Sequence, residues 1–546
     1  MPPKRKEVKK APQTENEFLE AADDHEQAAG KWRAGDAAKS LRFFNRAIDA
    51  YNEGLKKFPN SFDLSYNKAN LQYNLTQDMR ILPHLGPKIP LLEETLKSHQ
   101  TALSLAPASN TDIVFNTAQV LTSLAESVLD AESQQMAKIP ARTLLEEAVN
   151  LFTKCLATQQ EEYERVRLEI EGLKAQAEGE GQQGDFEPSG SAAKGADEDD
   201  ISSTTSSGPG EWATVEEPLT PETILETCTA QLGALTTLLS LYDPSEVVNI
   251  EAMAHNGLST ANTAIPTLIA LLGDSPFKKE EPEKAPGPTL SIASDTASNK
   301  FETTTKDDAL LAVATFQAAL AELQYKASQI TATEYAATIE TLFSPFTQPI
   351  QSPDQQPIHL NAVCACADAL IDLSSAISDT PSHTSSSSSH ATDQEIQWTA
   401  LTAAQKLLTQ LSSAPNNTIL PASRLADAYL ARGDVELFRF HISFSETAKP
   451  AWVSARNVLV GNAGVYYRGA RTYAEKAGVL DLRGTADAKT LVAEVLKEVT
   501  VARGGVVVAK EAWKGRGEGV KRVLEQMVEE GIVGRGDAAG VLNLLS

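Results

Sequence analysis

The side chains of this sequence that could do chemistry are few, and their spacing does not suit it. Cys364 and Cys366 are the closest pair among the four cysteines. A zinc site needs two such pairs, or one pair with spaced histidines, and His359 alone does not complete one. Residues two apart on a helix point to different sides, so we interpret both thiols as small core residues. The sequence therefore predicts no metal site.

Two other stretches match known ligand sites only in part. The run GRGEGV at 515–520 has three glycines, but no predicted strand precedes it, so we interpret it as a flexible connection between helices. The acidic run at 197–200 lacks the spacing of a calcium-binding loop. We therefore expect no cofactor.

Catalysis by a side chain would need a nucleophile beside a base. The most polar cluster lies in the stretch RFHISFSETAKPAW and consists of Arg439, His441, Ser443, Ser445 and Glu446. No serine sits in a nucleophile elbow, and such residues cap helices and form turns far more often than they catalyse. We expect a protein that is not an enzyme. An enzyme hidden in this C-terminal stretch is the weaker alternative.

The elements that must position these residues are helices. In the first long one, apolar residues recur at spacings of three and four: Leu41, Phe44, Ala47, Ile48, Tyr51, Leu55 and Phe58. Pro59 ends it, because proline cannot continue the hydrogen-bond ladder. The arrangement recurs near 91–110 and 141–159. Since an amphipathic helix must bury one face against a neighbour, we predict an all-α protein of stacked helical hairpins.

Two stretches of the chain are copies of one another. They are SFDLSYNKANLQYNL at 61–75 and NTDIVFNTAQVLTSL at 110–124, which match at an offset of 49 residues. Most of the shared positions are packing positions at helical spacing. Asp63 and Asp112 are expected to cap or open the two helices, since an acceptor there satisfies free backbone amides.

The small and aromatic residues of these helices resemble those of the tetratricopeptide repeat (TPR) family. The matching positions are Tyr66, Ala69, Asn70 and Tyr73 in one first helix, Ala148, Phe152, Cys155 and Leu156 in one second helix, and Leu425, Ala426, Tyr429 and Gly433 in 424–437. The last match places a turn at Gly433–Asp434. The resemblance implies a TPR-like α-α solenoid of divergent, fungal type, with disordered acidic and Ser-rich insertions. The period of 49 departs from the family's 34.

Members of this family often bind peptide C-termini through a clamp of Lys, Asn and Arg on the concave face. Asn67 and Asn116 are shared polar residues without an evident structural role, and Asn70 and Asn74 follow Asn67 on the same helix. The resemblance makes these four asparagines candidates for a partner-binding groove. A complete clamp cannot be traced, because basic residues do not recur one repeat later.

The charge balance favours a protein partner over a nucleic acid. The net charge is −25, whereas a surface that binds nucleic acid needs Lys and Arg to displace counterions. Residues 451–546 hold 14 Lys and Arg against 11 Asp and Glu, so the preceding 450 residues carry −28. An acidic body of this kind could attract a basic protein, although acidity can also serve solubility alone.

The sequence shows no feature typical of a secreted or membrane protein. We find no run of about 18 or more apolar residues and expect no membrane span. The N-terminal MPPKRKEVKK has no apolar stretch behind its charges, and the cysteines are expected to be reduced. We therefore expect a cytoplasmic or nuclear protein, in which the PKRK run at 3–6 is either a nuclear import signal or a solvated terminus.

Composition divides the chain into helical stretches and polar inserts. We predict a basic disordered N-terminus at 1–15, TPR-like repeats at 16–174, a disordered acidic, Gly- and Ser-rich insert at 175–219, further repeats at 220–273, a second insert at 274–306, a helical region at 307–377, a Ser-rich linker at 378–393 and a C-terminal TPR-like region at 394–546.

These observations favour a non-catalytic interaction adaptor, scaffold or assembly chaperone. The family includes acidic fungal proteins that escort newly made ribosomal proteins, so the resemblance implies a basic client such as a ribosomal protein. Two alternatives stay open: a co-chaperone-like module that binds peptide C-termini, and a structural subunit of a larger complex. The sequence leaves the partner's identity and the oligomeric state open.

Overall fold

The computed structural model describes residues 11–78, 80–107, 110–131, 134–180, 219–272, 303–348, 356–379, 387–502 and 510–546. Within these ranges every regular element is a helix and no strand is present. The predicted all-α class is confirmed.

The helices are numbered in chain order. The first six are α1 (Glu15–Arg33), α2 (Ala37–Lys57), α3 (Phe62–Gln77), α4 (Lys88–Leu105), α5 (Thr111–Ala131) and α6 (Gln134–Glu180). The next five are α7 (Pro221–Ser240), α8 (Val247–Ser259), α9 (Ile265–Leu271), α10 (Thr305–Lys326) and α11 (Ala332–Thr347). The last seven are α12 (Gln356–Asp379), α13 (Ser387–Ser412), α14 (Ala422–Ile442), α15 (Pro450–Ala477), α16 (Leu480–Val501), α17 (Gly517–Glu529) and α18 (Arg535–Leu545).

Helices that are neighbours in sequence pack against each other as pairs. The main pairs are α1 with α2, α3 with α4, α5 with α6, α12 with α13 and α14 with α15. Successive pairs then contact through alternate helices: α1 touches α3, α3 touches α5, α5 touches α7, α7 touches α10, and α10 touches α12. We call these alternate helices, with α14 and α16, the first layer. The predicted stacking of helical hairpins is therefore the observed architecture.

The sequence repeat corresponds to two neighbouring helices of the first layer, α3 and α5. Their caps are also repeated, because Ser61 Oγ accepts from the Leu64 amide at 3.1 Å and Asn110 Oδ1 accepts from the Ile113 amide at 3.2 Å. Asp63 and Asp112 lie in the first turns. They lie inside the helices, where a carboxylate faces the positive end of the helix dipole, while Ser61 and Asn110 accept from the backbone amides three residues on.

The turn expected at Gly433–Asp434 is wrong. Helix α14 runs through both residues without a break. Gly433 is needed there for packing, since a Cβ at this position would lie 2.3 Å from a ring carbon of Tyr467. The family pattern places a turn at this glycine, whereas in the structure the glycine permits a close contact between two helices. Turns and close helix contacts both favour glycine, so the sequence alone does not distinguish them.

The predicted boundaries fall partly outside the described residues. This applies to residues 1–10, with the PKRK run, to 181–218, with the acidic run at 197–200, to 273–302 at the second predicted insert, to 380–386 in the predicted Ser-rich linker, and to 349–355 and 503–509. Where the structure does describe the edges, helices extend further than expected. Helix α6 continues to Glu180, and α13 already begins at Ser387, inside the predicted Ser-rich linker.

One described helix, α12, is long and apolar enough to cross a membrane by length and composition, and the bent pair Pro221–Ser240 with Pro244–Leu271 passes the same test together. A buried helix of a helical core has the same properties. In the structure α12 packs against α10, α11 and α13, and 56% of its most apolar stretch is buried.

Candidate functional site

The predicted groove asparagines lie side by side in the first layer. Asn67, Asn70 and Asn74 are half-buried and occupy one face of α3 at spacings of three and four. The Asn67 amide donates to the Asp63 carbonyl at 2.8 Å. Next to this face, Lys68 lines an open cleft of about 750 Å³ between α2 and α3. A binding role for these three asparagines stays a prediction.

Asn116 has a structural role that the sequence did not reveal. Its Nδ2 donates to the Tyr66 hydroxyl at 3.0 Å, from α5 to α3. Two helical turns further along α3 and α5, the Tyr73 and Ser123 hydroxyls are 3.0 Å apart. The polar residues of the repeat therefore join its two copies.

A second polar face lies on α12, in the C-terminal half of the first layer. Asp368, Asp372 and Asp379 follow one another at spacings of four and seven, which places them on one side of the helix. All three side chains are exposed. Two further acidic residues lie near this face. Glu322 on α10 raises the pKa of Asp372, and Asp427 on α14 raises the pKa of Asp368.

These carboxylates are accessible to water yet strongly affected by the protein around them. Burial is the largest cause of the raised pKa of Asp368, which reaches about 6, and the charge of Asp427 adds to it. The pKa of Asp372 is also raised, first by desolvation and then by Glu322 and Asp368. The helices packed on either side therefore desolvate these carboxylates although their side chains remain exposed. We call this surface the acidic recess and define it by Glu322, Asp368, Asp372, Asp379, Asp427 and Glu530.

The segment after α17 closes one side of the acidic recess. Ser375 Oγ on α12 donates to the Glu530 carbonyl at 2.8 Å. Gly531 follows with φ +76°, and a Cβ there would lie 3.1 Å from Ser378 and 3.2 Å from the Phe438 ring. Desolvation raises the pKa of Glu530, and the charge of Asp434 raises it further while that of Lys489 lowers it. The C-terminal segment thus adds another carboxylate to an acidic surface.

Few cations balance these charges. Lys326 Nζ lies 2.6 Å from Glu322 Oε1, and Arg424 donates to Asn361, linking α14 to α12. Within the described ranges, Asp368, Asp372 and Asp379 form no ion pair with any Lys, Arg or His. The protein's own cations therefore neutralise only part of the negative charge of the acidic recess.

A neighbouring buried cluster shows the opposite arrangement. Lys489 Nζ lies 2.8 and 2.9 Å from the two oxygens of Asp434, and the Tyr467 hydroxyl donates to the same carboxylate at 2.8 Å. Lys489 and Tyr467 are buried, and desolvation followed by the charge of Asp434 raises the pKa of Tyr467 well above its usual range. This cluster connects α14, α15 and α16 and leaves no charge for a partner.

The two cysteines first considered for a metal site are free thiols within the helical packing. Burial raises the pKa of Cys364 and Cys366 to about 11, so both stay protonated thiols. In the part of the chain that the structure describes, no group of three His, Cys, Asp or Glu is placed to hold a metal ion.

In the C-terminal polar cluster the serines bond to backbone, amide, hydroxyl and guanidinium groups. Ser443 Oγ donates to the Phe440 carbonyl at 2.6 Å, and Ser445 Oγ donates to Gln394 at 2.8 Å. Burial lowers the pKa of His441, and its Nδ1 has no hydrogen-bond partner among the described residues. No hydrogen bond joins these serines to His441.

Sequence reasoning missed the acidic recess, although a signal for it was present. Asp368, Asp372 and Asp379 share a helix face in an otherwise apolar stretch. Such a pattern indicates a solvated face by default. Only the neighbouring helices, which bring Glu322 and Asp427 to the same side, distinguish a recess from an ordinary exposed stripe.

Comparison with known proteins adds relatives but no function. No family model matches the chain. It is 35% identical over 134 residues to UPF0656 protein C926.02 of Schizosaccharomyces pombe, which covers 24% of this chain and 29% of that protein. It is 26% identical over 154 residues to the uncharacterized protein YNL193W of Saccharomyces cerevisiae, covering 24% and 28%. The matches thus span less than a third of each relative.

Among solved structures, the chain is similar to a protein described as a circular tandem repeat protein with novel repeat topology and enhanced subunit contact surfaces. The likeness covers 97% of both chains at 11% identity, with a TM-score of 0.28. A score this low carries no argument. The fold class rests on the packing of the helices described above.

Proposed function

We propose that this chain is a non-catalytic, TPR-like adaptor or assembly chaperone that binds a basic segment of a protein, such as a ribosomal protein, in the acidic recess. The observation that carries the proposal is the pair Asp368 and Asp372, two accessible carboxylates without an ion-pair partner among the described residues. A lysine or arginine of a partner would supply the missing counter-charge.

The TPR-like part of the proposal is supported by helix packing. Small and aromatic residues are buried at the same spacing in α2 and α6: Ala47 and Tyr51 in the first, and in the second Ala148 and Phe152, which match the family's second helix. Small residues at such positions let helices approach, and aromatics fill the gaps between pairs.

The energetic cost of the acidic recess supports a role in binding. A carboxylate whose folded-state pKa is raised above its unfolded value destabilises the fold once it is charged. For Asp368 that cost is absent below the unfolded pKa of roughly 4 and complete above about 6. Carboxylates that lower stability at neutral pH, and that are open to water, fit a site kept for a partner.

The charge distribution supports a basic partner in particular. The whole chain carries −25, so a cationic client would be attracted before contact, and the attraction would weaken as salt screens it. An anionic client would meet like charges at the acidic recess. Repulsion of that kind contributes to specificity as much as attraction does.

The test is a titration of a lysine- and arginine-rich peptide into the full-length chain. The double variant D368N/D372N removes two charges while keeping side-chain size, and we expect it to weaken binding by about tenfold. The control E93Q/E251Q removes two exposed charges from α4 and α8, and it should change affinity by less than about twofold. Equal losses in both variants, or binding indifferent to salt, would contradict the proposal.

A further inference from the structure

Lys326 is the described cation that acts on the α12 side of the acidic recess, whereas Arg424 acts on Asp427 and Lys489 acts on Glu530. Lys326 lies in the last turn of α10, with Nζ 2.6 Å from Glu322 Oε1. Its side chain is 25% exposed, so the ammonium is held by the protein but can still be reached from the recess. The ion pair belongs to one helix, at spacing i, i+4.

The charge of Lys326 acts on more than its partner. Burial alone would lower the pKa of Lys326, but the charge and hydrogen bond of Glu322, and the charges of Asp379 and Asp372, outweigh it and raise the pKa. In turn, Lys326 lowers the pKa of both Asp372 and Asp379. The charge of one ammonium thus acts on three carboxylates, and the two on α12 have no ion pair of their own in the described ranges.

We propose that Lys326 acts as a tethered competitor in the acidic recess. Its ammonium occupies part of the space in which a lysine or arginine of a partner would bind, and it neutralises part of the negative charge that would attract that residue. The inference rests on the proposed function and adds a residue that sets its affinity. A basic segment gains most from Asp368, on which the charge of Lys326 does not act, less from Asp372, whose charge Lys326 partly offsets, and least from Glu322, which is already paired.

Removing the tethered charge should therefore strengthen binding. A unit charge several ångströms from the ligand, in a partly solvated recess, changes affinity by about three- to fivefold. The variant K326Q should bind the basic peptide tighter than wild type by that factor. K326M retains the apolar stem and its packing and should do the same, whereas K326R keeps the charge and should stay near wild-type affinity.

Lys138 supplies a matched control. Its Nζ lies 2.6 Å from Asp243, and its side chain is 35% exposed, so K138Q removes the same charge from a similar ion pair on α6. We expect K138Q to shift affinity by less than about 1.5-fold. A thermal melt of each variant separates binding effects from loss of fold.

Two outcomes overturn the inference in different ways. If wild type binds the peptide and D368N/D372N weakens it, but K326Q and K326M bind no tighter than K326R, the competitor role is wrong and the proposed function stands. If wild type shows no salt-dependent binding of the peptide, both are wrong. Tighter binding by K326Q and K326M, with K138Q unchanged, supports the inference.

Discussion

The two ends of the first layer share an architecture and differ in chemistry. Between α3 and α5 the hydrogen bonds join neutral groups, as in the bond from Asn116 to the Tyr66 hydroxyl and the contact of the Tyr73 and Ser123 hydroxyls. The comparable helices α10, α12 and α14 carry acidic residues, of which Asp368 and Asp372 form no ion pair among the described residues. The repeated residues build the scaffold, whereas the charges that suit a partner lie where the sequence does not repeat.

A second contrast lies within the C-terminal half, between two aspartates on neighbouring helices. Asp434 is held by Lys489 and by Tyr467, while Asp372 meets mainly other carboxylates. A paired charge in a buried site supports the fold only while its partner remains. An unpaired charge at an accessible surface lowers stability and is available for binding. Removing the partner of Asp434 should therefore lower the free energy of unfolding, whereas replacing Asp372 by a neutral residue should raise it.

The largest expected effect is the loss of the buried pair. In K489M the Asp434 carboxylate stays buried without its cation, and we expect a loss of about 3–5 kcal/mol in the free energy of unfolding. Urea denaturation followed by circular dichroism measures it. The control D487N breaks the exposed ion pair with Arg471 and should cost less than about 1 kcal/mol. A K489M variant as stable as D487N would show that the cluster does not support the fold.

The recess variant should change stability in the other direction. Replacing Asp368 and Asp372 by Asn removes charges whose folded-state pKa is raised, so D368N/D372N should be more stable than wild type at neutral pH. Because both side chains are exposed, we discount the shift for solvent and expect a gain of about 1 kcal/mol. The same urea titration checks the sign. A destabilised double variant would mean that these carboxylates make structural contacts, and the contrast with Asp434 would disappear.

Binding in the acidic recess should depend on pH near the pKa of Asp368. With that pKa at about 6, the carboxylate gains a proton as the pH falls from about 7 to about 5, so affinity for a basic peptide should fall several-fold. In D368N the remaining decrease should be smaller, since one of the titrating groups is absent. Calorimetric titrations across this range compare the two slopes. Parallel slopes would exclude Asp368 from the binding surface.

The smallest effect is expected on the N-terminal side. Asn116→Ala leaves the Tyr66 hydroxyl without its partner and should destabilise the fold by about 1 kcal/mol, while Asn70→Ala should stay within about 0.5 kcal/mol. Neither change should alter affinity for the basic peptide by more than about twofold. A larger loss of affinity in Asn70→Ala would place the partner on the α3 face, as the resemblance to the repeat family implied.

Local periodicity was sufficient to predict much of the fold. The spacing of Leu41, Ala47 and Tyr51 predicted α2 because helical burial follows from spacing alone. The turn at Gly433 was predicted wrongly because a glycine admits either a turn or a close helix contact, and only the Tyr467 ring across the interface decides between them.

The candidate site was harder to predict than the fold. Asn116 looked free because its partner, Tyr66, lies 50 residues away. The acidic recess brings together Glu322, Asp372 and Glu530, which are far apart in sequence and meet only after the hairpins stack. Properties that depend on one helix were readable from the sequence. Those that depend on which helices become neighbours were not.

The central claim is that a basic segment binds at the acidic recess, and zero-length cross-linking tests it most directly. A carbodiimide joins a carboxylate to a lysine amine only when the two are in contact, so the cross-linked residues report where a lysine-rich peptide lies. We predict cross-links at Asp368 and Asp372 that disappear in D368N/D372N. Cross-links spread over exposed acids such as Glu93 and Glu251, with none on α12, would contradict the claim.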